Sequence, residues 1–215
     1  MPSRRIHSII RIFQRRFHHH QSHLPFLFFI PAGLAVFFLT VTLLSLTSSR
    51  PPSLRTGSGN VLYVVGNKSY SSNIGTKDGL PQISFTSNKS QASFILQGAS
   101  KVKPIKKDSN TVLFPEVIPN VDLRYTSLLV GLKEDIIVKA IPTTNTFIFD
   151  LTLQGVTPKA QTTTNDKSLI SPTFFDDKGK YQFHFDKPFA LDASGARTDN
   201  VLLQITTDST TGNYI

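Results

Sequence analysis

Residues Pro119–Ala140 read "PNVDLRYTSLLVGLKEDIIVKA", and their pattern decides the fold class. Val121, Leu123 and Tyr125 alternate with Asp122 and Arg124, the period-two signature of a strand with one face buried. Tyr125 is expected to end that strand, its ring buried and its hydroxyl at the rim. Gly131 permits the positive φ that a reversing turn needs. Lys133 and Glu134 then begin a return strand on opposite faces, so the stretch is expected to form a β-hairpin. The charged run Lys133–Glu134–Asp135 has two readings. In one, Lys133 lies across from Asp122 or Arg124 as a pair worth less than about 1 kcal/mol. In the other, Glu134 faces inward, satisfies backbone amides or Arg124, and fixes the register. Either way it reads as a structural device at a strand start rather than a site of chemistry.

Outward from the hairpin, short apolar runs alternate with turn residues. Strands are expected at Val61–Val65, Gln82–Phe85, Ala92–Gln97, Thr111–Phe114, Thr146–Leu153, Pro172–Phe175, Tyr181–Phe185, Ala190–Leu191 and Val201–Thr206. In "TFIFDLTL", Phe147, Phe149, Leu151 and Leu153 share one face. Asp177–Gly179 and "DASG" at 192–195 are turn sequences. Asn67–Ile74 and Lys101–Asn110 read as loops. No helical stretch of ten residues follows residue 50. The pattern predicts an all-β domain, a two-layer sandwich or meander, because a single sheet would leave its apolar face wet. "NKS" occurs at Asn67 and again at Asn88, matching the N-glycosylation pattern; in a bacterial protein these are polar turns.

The net charge of +9 is unevenly spread. Residues 1–23 carry Arg4, Arg5, Arg11, Arg15 and Arg16 and no acid. Residues 24–46, "LPFLFFIPAGLAVFFLTVTLLSL", carry no charge. The rest is only mildly basic, which argues against a nucleic-acid partner. The uncharged stretch is long enough to cross a hydrocarbon core of roughly 30 Å, and no A-x-A cleavage pattern follows it. It is expected to be an uncleaved transmembrane helix kinked at Pro31, with the arginines holding the N-terminus inside. The expected organisation is a cytoplasmic tail at 1–23, a transmembrane helix at 24–46, a Pro/Ser/Gly-rich flexible linker at 47–60 and an extracytoplasmic β domain at 61–215. Thr207–Gly212 reads as a turn and Asn213–Ile215 as a strand just begun, so a domain truncated at its C-terminus is one expectation.

Candidate chemistry is sparse. The absence of cysteine removes disulfides, thiolates and Cys-ligated metals. His18, His19, His20 and His23 suit a metal by type but read as part of the basic approach to the membrane. His184 and Asp186 share a strand face, yet no nucleophile motif accompanies them. Glycoside hydrolysis needs two converging carboxylates; Glu116, Glu134, Asp150, Asp176, Asp177 and Asp186 qualify by type alone. The acidic turns at Asp176–Asp177 and Asp192–Ser194 lack the spacing of a calcium loop. Lys101, Lys103, Lys106 and Lys107 form the densest basic cluster outside the N-terminus, a candidate patch for polyanions such as teichoic acid, or else a solvated loop.

The hairpin phrase resembles a β-rich region that precedes RHS/YD repeats in bacterial wall-associated, toxin-delivering proteins. Pro119, Val121, Asp122, Leu123 and Tyr125 carry its first half. Gly131, Leu132, Lys133, Glu134, Ile136 and Lys139 carry the second. The resemblance continues through Asp177, Gly179, Phe185, Pro188, Asp192 and Gly195, and covers roughly Val112–Ile205. It implies a surface module and brings no catalytic residue with it.

The expected protein is thus a single-pass membrane protein displaying a β module outside the cell. Its role would be structural, adhesive or display, including the front end of a larger RHS-like protein. It is expected to be no enzyme, to need no cofactor and to bind no nucleic acid. Its partners would be the membrane through 24–46 and cell-wall polymers or other surface proteins. A glycan hydrolase and a polyanion-binding module are the alternatives.

Overall fold

The computed structural model describes residues 10–11, 15–18, 50–140, 145–159, 172–207 and 214–215. The expected membrane segment 24–46 and His19, His20 and His23 lie outside the described residues. Among the described residues no helix is long and apolar enough to cross a membrane.

The described residues are all-β. In chain order the strands are β1 (Ile10–Arg11), β2 (Arg15–His18), β3 (Arg55–Thr56), β4 (Val61–Gly66), β5 (Ser71–Lys77), β6 (Leu80–Ser87), β7 (Ser90–Leu96) and β8 (Ile105–Lys106). They continue with β9 (Thr111–Ile118), β10 (Val121–Leu128), β11 (Gly131–Val138), β12 (Phe149–Gln154), β13 (Thr157–Pro158), β14 (Thr173–Phe175), β15 (Tyr181–Phe185), β16 (Ala190–Leu191) and β17 (Arg197–Thr198). One sheet runs β12-β7-β6-β5-β4-β3. The other contains the meander β8-β9-β10-β11 and the group β13-β14-β15, joined through β2.

Both sheets turn their apolar faces to one core. Phe85 on β6 meets Phe183 on β15 edge-on, with ring centroids 5.5 Å apart, and stacks on Tyr70 at the same separation. Phe174 stacks on Phe183 at 4.7 Å. Each such ring pair adds roughly 0.5–1.5 kcal/mol beyond the burial of its area. β6 and β7 alternate strictly between buried and half-buried positions, as one face on the core requires.

Local chemistry explains the turns. Asp78 and Gly79 both take positive φ between the paired residues Lys77 and Leu80, as a type I′ hairpin turn requires. Pro119–Asn120 joins β9 to β10, with Asn120 at φ 64, the Pro-then-left-handed order of a type II turn. Gly75 sits at a close approach: a Cβ there would lie 2.0 Å from the Asn60 carbonyl oxygen.

Five expectations change. Asn67–Ile74 is not a loop throughout, because β5 starts at Ser71 and runs inside the sheet with Ser72 and Ile74 buried. The expected linker is ordered at its described end: Leu54 is buried, its amide donates to the Ser109 carbonyl, and Arg55–Thr56 ladders with β4. Lys101–Asn110 holds a short strand, β8. Val201–Thr206 forms no strand; at its end Thr206 exchanges backbone hydrogen bonds with Ile215, and Thr207 bridges to Tyr214. Gly131 is not the turn residue: Leu129–Val130 make the reversal, and Gly131 already pairs with Leu128 without a positive φ.

Candidate functional site

The β10–β11 hairpin sorts its charges by face. Tyr125 and Glu134 are direct cross-strand partners, both turned into the core. The Tyr125 hydroxyl donates to Glu134 Oε1 at 2.5 Å. Glu134 has no exposed surface, and the Tyr125 hydroxyl is buried with it rather than at the rim. On the other face Arg124 and Asp135 are partners. The Arg124 Nε and Nη2 both donate to Asp135 Oδ2, at 2.8 and 2.6 Å. Lys133 approaches Asp135 Oδ1 at 3.2 Å and lies across from Thr126, not from Asp122 or Arg124. Glu134 therefore faces inward as the second reading required, but its partner is a phenol and not Arg124.

At the base of the hairpin a bulge interrupts the β9–β10 register between Val121 and Leu123. Glu116, at φ 51, occupies that irregularity. Asp122 Oδ1 accepts the Glu116 amide at 2.8 Å and pairs with Lys139 Nζ at 2.8 Å. Lys139 also pairs with Glu116, whose other carboxylate oxygen accepts the Asn120 amide. The Lys139 hydrogen bond, then the Asn120 amide, hold the Glu116 carboxyl below its usual value. Burial pulls Lys139 down, but its bonds to Asp122 and Glu116 outweigh that and leave its pKa raised.

β15 carries a second polar chain that the sequence only half disclosed. Tyr181 Oη lies 2.6 Å from His184 Nδ1, and His184 Nε2 lies 3.0 Å from Asp186 Oδ1. The order is Tyr–His–Asp, the arrangement of a triad with a phenol in the nucleophile's place. Desolvation first, and then the Asp186 charge, push the Tyr181 hydroxyl up to about 12. A phenol so held stays protonated at neutral pH.

The other candidates stay apart. Asp176 Oδ1 accepts the Lys178 and Lys180 amides, and its Oδ2 accepts from Gln182. Asp192 Oδ1 takes the Ser194 hydroxyl and the Ser194 and Ala196 amides, which lower its pKa, the Ser194 hydroxyl most. Both carboxylates thus close turns. No group of three or more His, Asp or Glu among the described residues could hold a metal. Lys101, Lys103, Lys106 and Lys107 are all exposed. Lys101 lies over Gly79 at the tip of β5–β6, while Lys106 is in β8 on the edge of β9. An apolar groove lined by Phe149, Leu151, Phe185 and Leu203 has no Asp or Glu in its wall. The converging carboxylates of a glycan hydrolase are therefore absent from it.

No family model matches the chain, and no solved structure does. Three curated bacterial proteins do. The tRNA(Glu)-specific nuclease WapA of Bacillus subtilis subsp. natto and the tRNA nuclease WapA of Bacillus subtilis are each 34% identical over 88 residues. The tRNA3(Ser)-specific nuclease WapA of Bacillus spizizenii is 33% identical over 88 residues. Each match covers 41% of this chain and 4% of the relative, so the chain spans a very small part of the proteins it matches. The chain thus contains a WapA-like stretch.

These matches correct two expectations. "No enzyme" and "no nucleic acid" were drawn from missing motifs and from the mild charge of residues 50–215. The relatives carry enzymatic activity on tRNA in their names. The charge of one short stretch is no guide to the substrate of a protein many times longer.

Proposed function

We propose that this chain is a β-sandwich surface module of a WapA-like protein, and that it serves a protein that cleaves tRNA outside the cell that makes it. The observation that carries the reading is the pairing of equal similarity with unequal substrates. Relatives named for tRNA(Glu) and for tRNA3(Ser) match over the same length at 34% and 33% identity. What the stretch supplies is therefore common to proteins that differ in the tRNA they cut. A rigid two-sheet core with its charges closed into turns and cross-strand pairs suits a carrier or display element. The resemblance to the region preceding RHS/YD repeats supports the same role. The apolar residues 24–46 would attach the chain to the membrane or direct its export.

A chimaera tests this: the matching stretch of the Bacillus subtilis relative is replaced by the corresponding residues of this chain. The chimaera is expected to remain open to protease on intact cells and to cut the same tRNA as its parent. A changed tRNA target, or full protection from external protease, refutes the reading.

A further inference from the structure

The outer edge of β11 and the outer edge of β15 face each other across the width of one strand. β11 ladders with β10, and β15 ladders with β14. Both groups pack on the same opposing sheet: Phe183 of β15 against Phe85, and Ser127 of β10 against the Tyr70 hydroxyl. The two edges are bridged by β2, which pairs with both. Its register sets Arg15 opposite Glu134, Arg16 opposite Lys133, Phe17 opposite Phe185 and His18 opposite His184. β1 extends the same connection, with Arg11 opposite both Ile137 and Leu191.

We propose that the gap between β11 and β15 is a strand-acceptor site, and that Arg15–His18 of the same chain is its resident strand. The walls state what the site takes. Glu134 and Phe185 are fully buried, whereas Lys133 and His184 are half-exposed. Directly opposed residues share a face of the sheet. The entering strand must therefore bring a hydrogen-bonding or cationic residue opposite Glu134 and an apolar one opposite Phe185. Its alternate positions face water. "RRFH" has that pattern in that register. A strand is also what the walls need, because edge amides and carbonyls beside a dry core must find backbone partners. Strand addition to an open edge is a general mode of recognition.

The consequence concerns topology. A strand and the sheet that holds it lie on one side of a membrane. Residues 15–18 and the β domain then share a compartment, which the expected cytoplasmic tail at 1–23 with an extracytoplasmic β domain does not allow. This inference is independent of the tRNA-related reading above.

The absence of cysteine gives a clean test in the full chain. Directly paired positions in a ladder stand within reach of a disulfide. R16C combined with K133C is expected to form an intramolecular disulfide on mild oxidation, read as a faster-migrating monomer on a non-reducing gel. R16C with T126C is the control, because Thr126 lies on β10, beyond β11 from the gap. A disulfide-linked dimer assigns the strand to a second copy and overturns the proposal, as does no crosslink. F17P gives a second readout, since proline removes a ladder donor. Hydrogen exchange is expected to quicken about tenfold or more at the β11 and β15 edges and not in β6. Unchanged protection at those edges overturns the proposal.

Discussion

The two faces of the β10–β11 hairpin hold neighbouring carboxylates under opposite conditions. Glu134 lies in the core with the Tyr125 phenol, while Asp135, one residue on, is held from the outer face by Arg124 and Lys133. Asp135 is itself nearly covered, but its cationic partners keep 26% and 21% of their side-chain surface in water. A buried charge depends on each hydrogen bond it has, because water cannot replace a lost one. A pair with one wet end can fall back on solvent. The same chemistry thus fixes register on one face and contributes little stability on the other.

Four substitutions can break or sharpen that contrast. Tyr125→Phe removes the phenol donor from Glu134 and is expected to cost about 1–3 kcal/mol in urea unfolding. Adding Glu134→Leu should return only part of the loss, since removing both polar partners is far less costly than removing one, but Arg15 also stands opposite Glu134 in the ladder. A double variant no better than the single would show that Glu134 does more than meet Tyr125. Asp135→Ala is expected to cost about 1 kcal/mol, with the difference shrinking as salt rises. If it costs more than Tyr125→Phe, the contrast between the faces fails. The smallest effect belongs to the hairpin base. The folded pKa of Glu116 is lowered, so its pairing contributes stability above the unfolded value of 4.5, and that contribution is lost as pH falls through the folded value. Lys139→Met should therefore flatten the acid side of a melting-temperature profile below about pH 5, and also the alkaline side above the unfolded lysine value of 10.5, because the raised pKa of Lys139 adds stability that is lost there. An unchanged acid slope would remove Lys139 as its cause.

What the sequence disclosed follows from where its signals are strong. The alternation Val121–Leu123–Tyr125 against Asp122–Arg124 is a one-sided burial pattern, and the structure contains that strand. β5 was hidden because "SSNIGTK" has a single large apolar residue, and its place in the sheet comes from neighbours on both sides. The Asp78–Gly79 pair that follows it was the available signal, a hairpin turn that needs a strand before it. Val201–Thr206 misled in the other direction, since an apolar run supplies a preference but not an edge to pair with. The phenol partner of Glu134 could not be read, because it depends on register, and a one-residue slip would have turned Glu134 to solvent. β2 was masked by its own composition, as arginines ahead of an apolar run read as a membrane flank.

One small feature reaches beyond the fold. At the β10–β11 turn, the Tyr70 hydroxyl donates to the Leu128 carbonyl at 2.6 Å and the Asn67 side-chain amide to the Leu129 carbonyl at 2.7 Å. Leu129 and Val130 themselves are exposed. The bond between them offers a place to divide the polypeptide, because the strand before it stays pinned by the opposite sheet and the strand after it stays in its ladder. Two separately made pieces meeting at that bond should find each other and rebuild the domain, which makes the hairpin tip a natural point for fragment complementation.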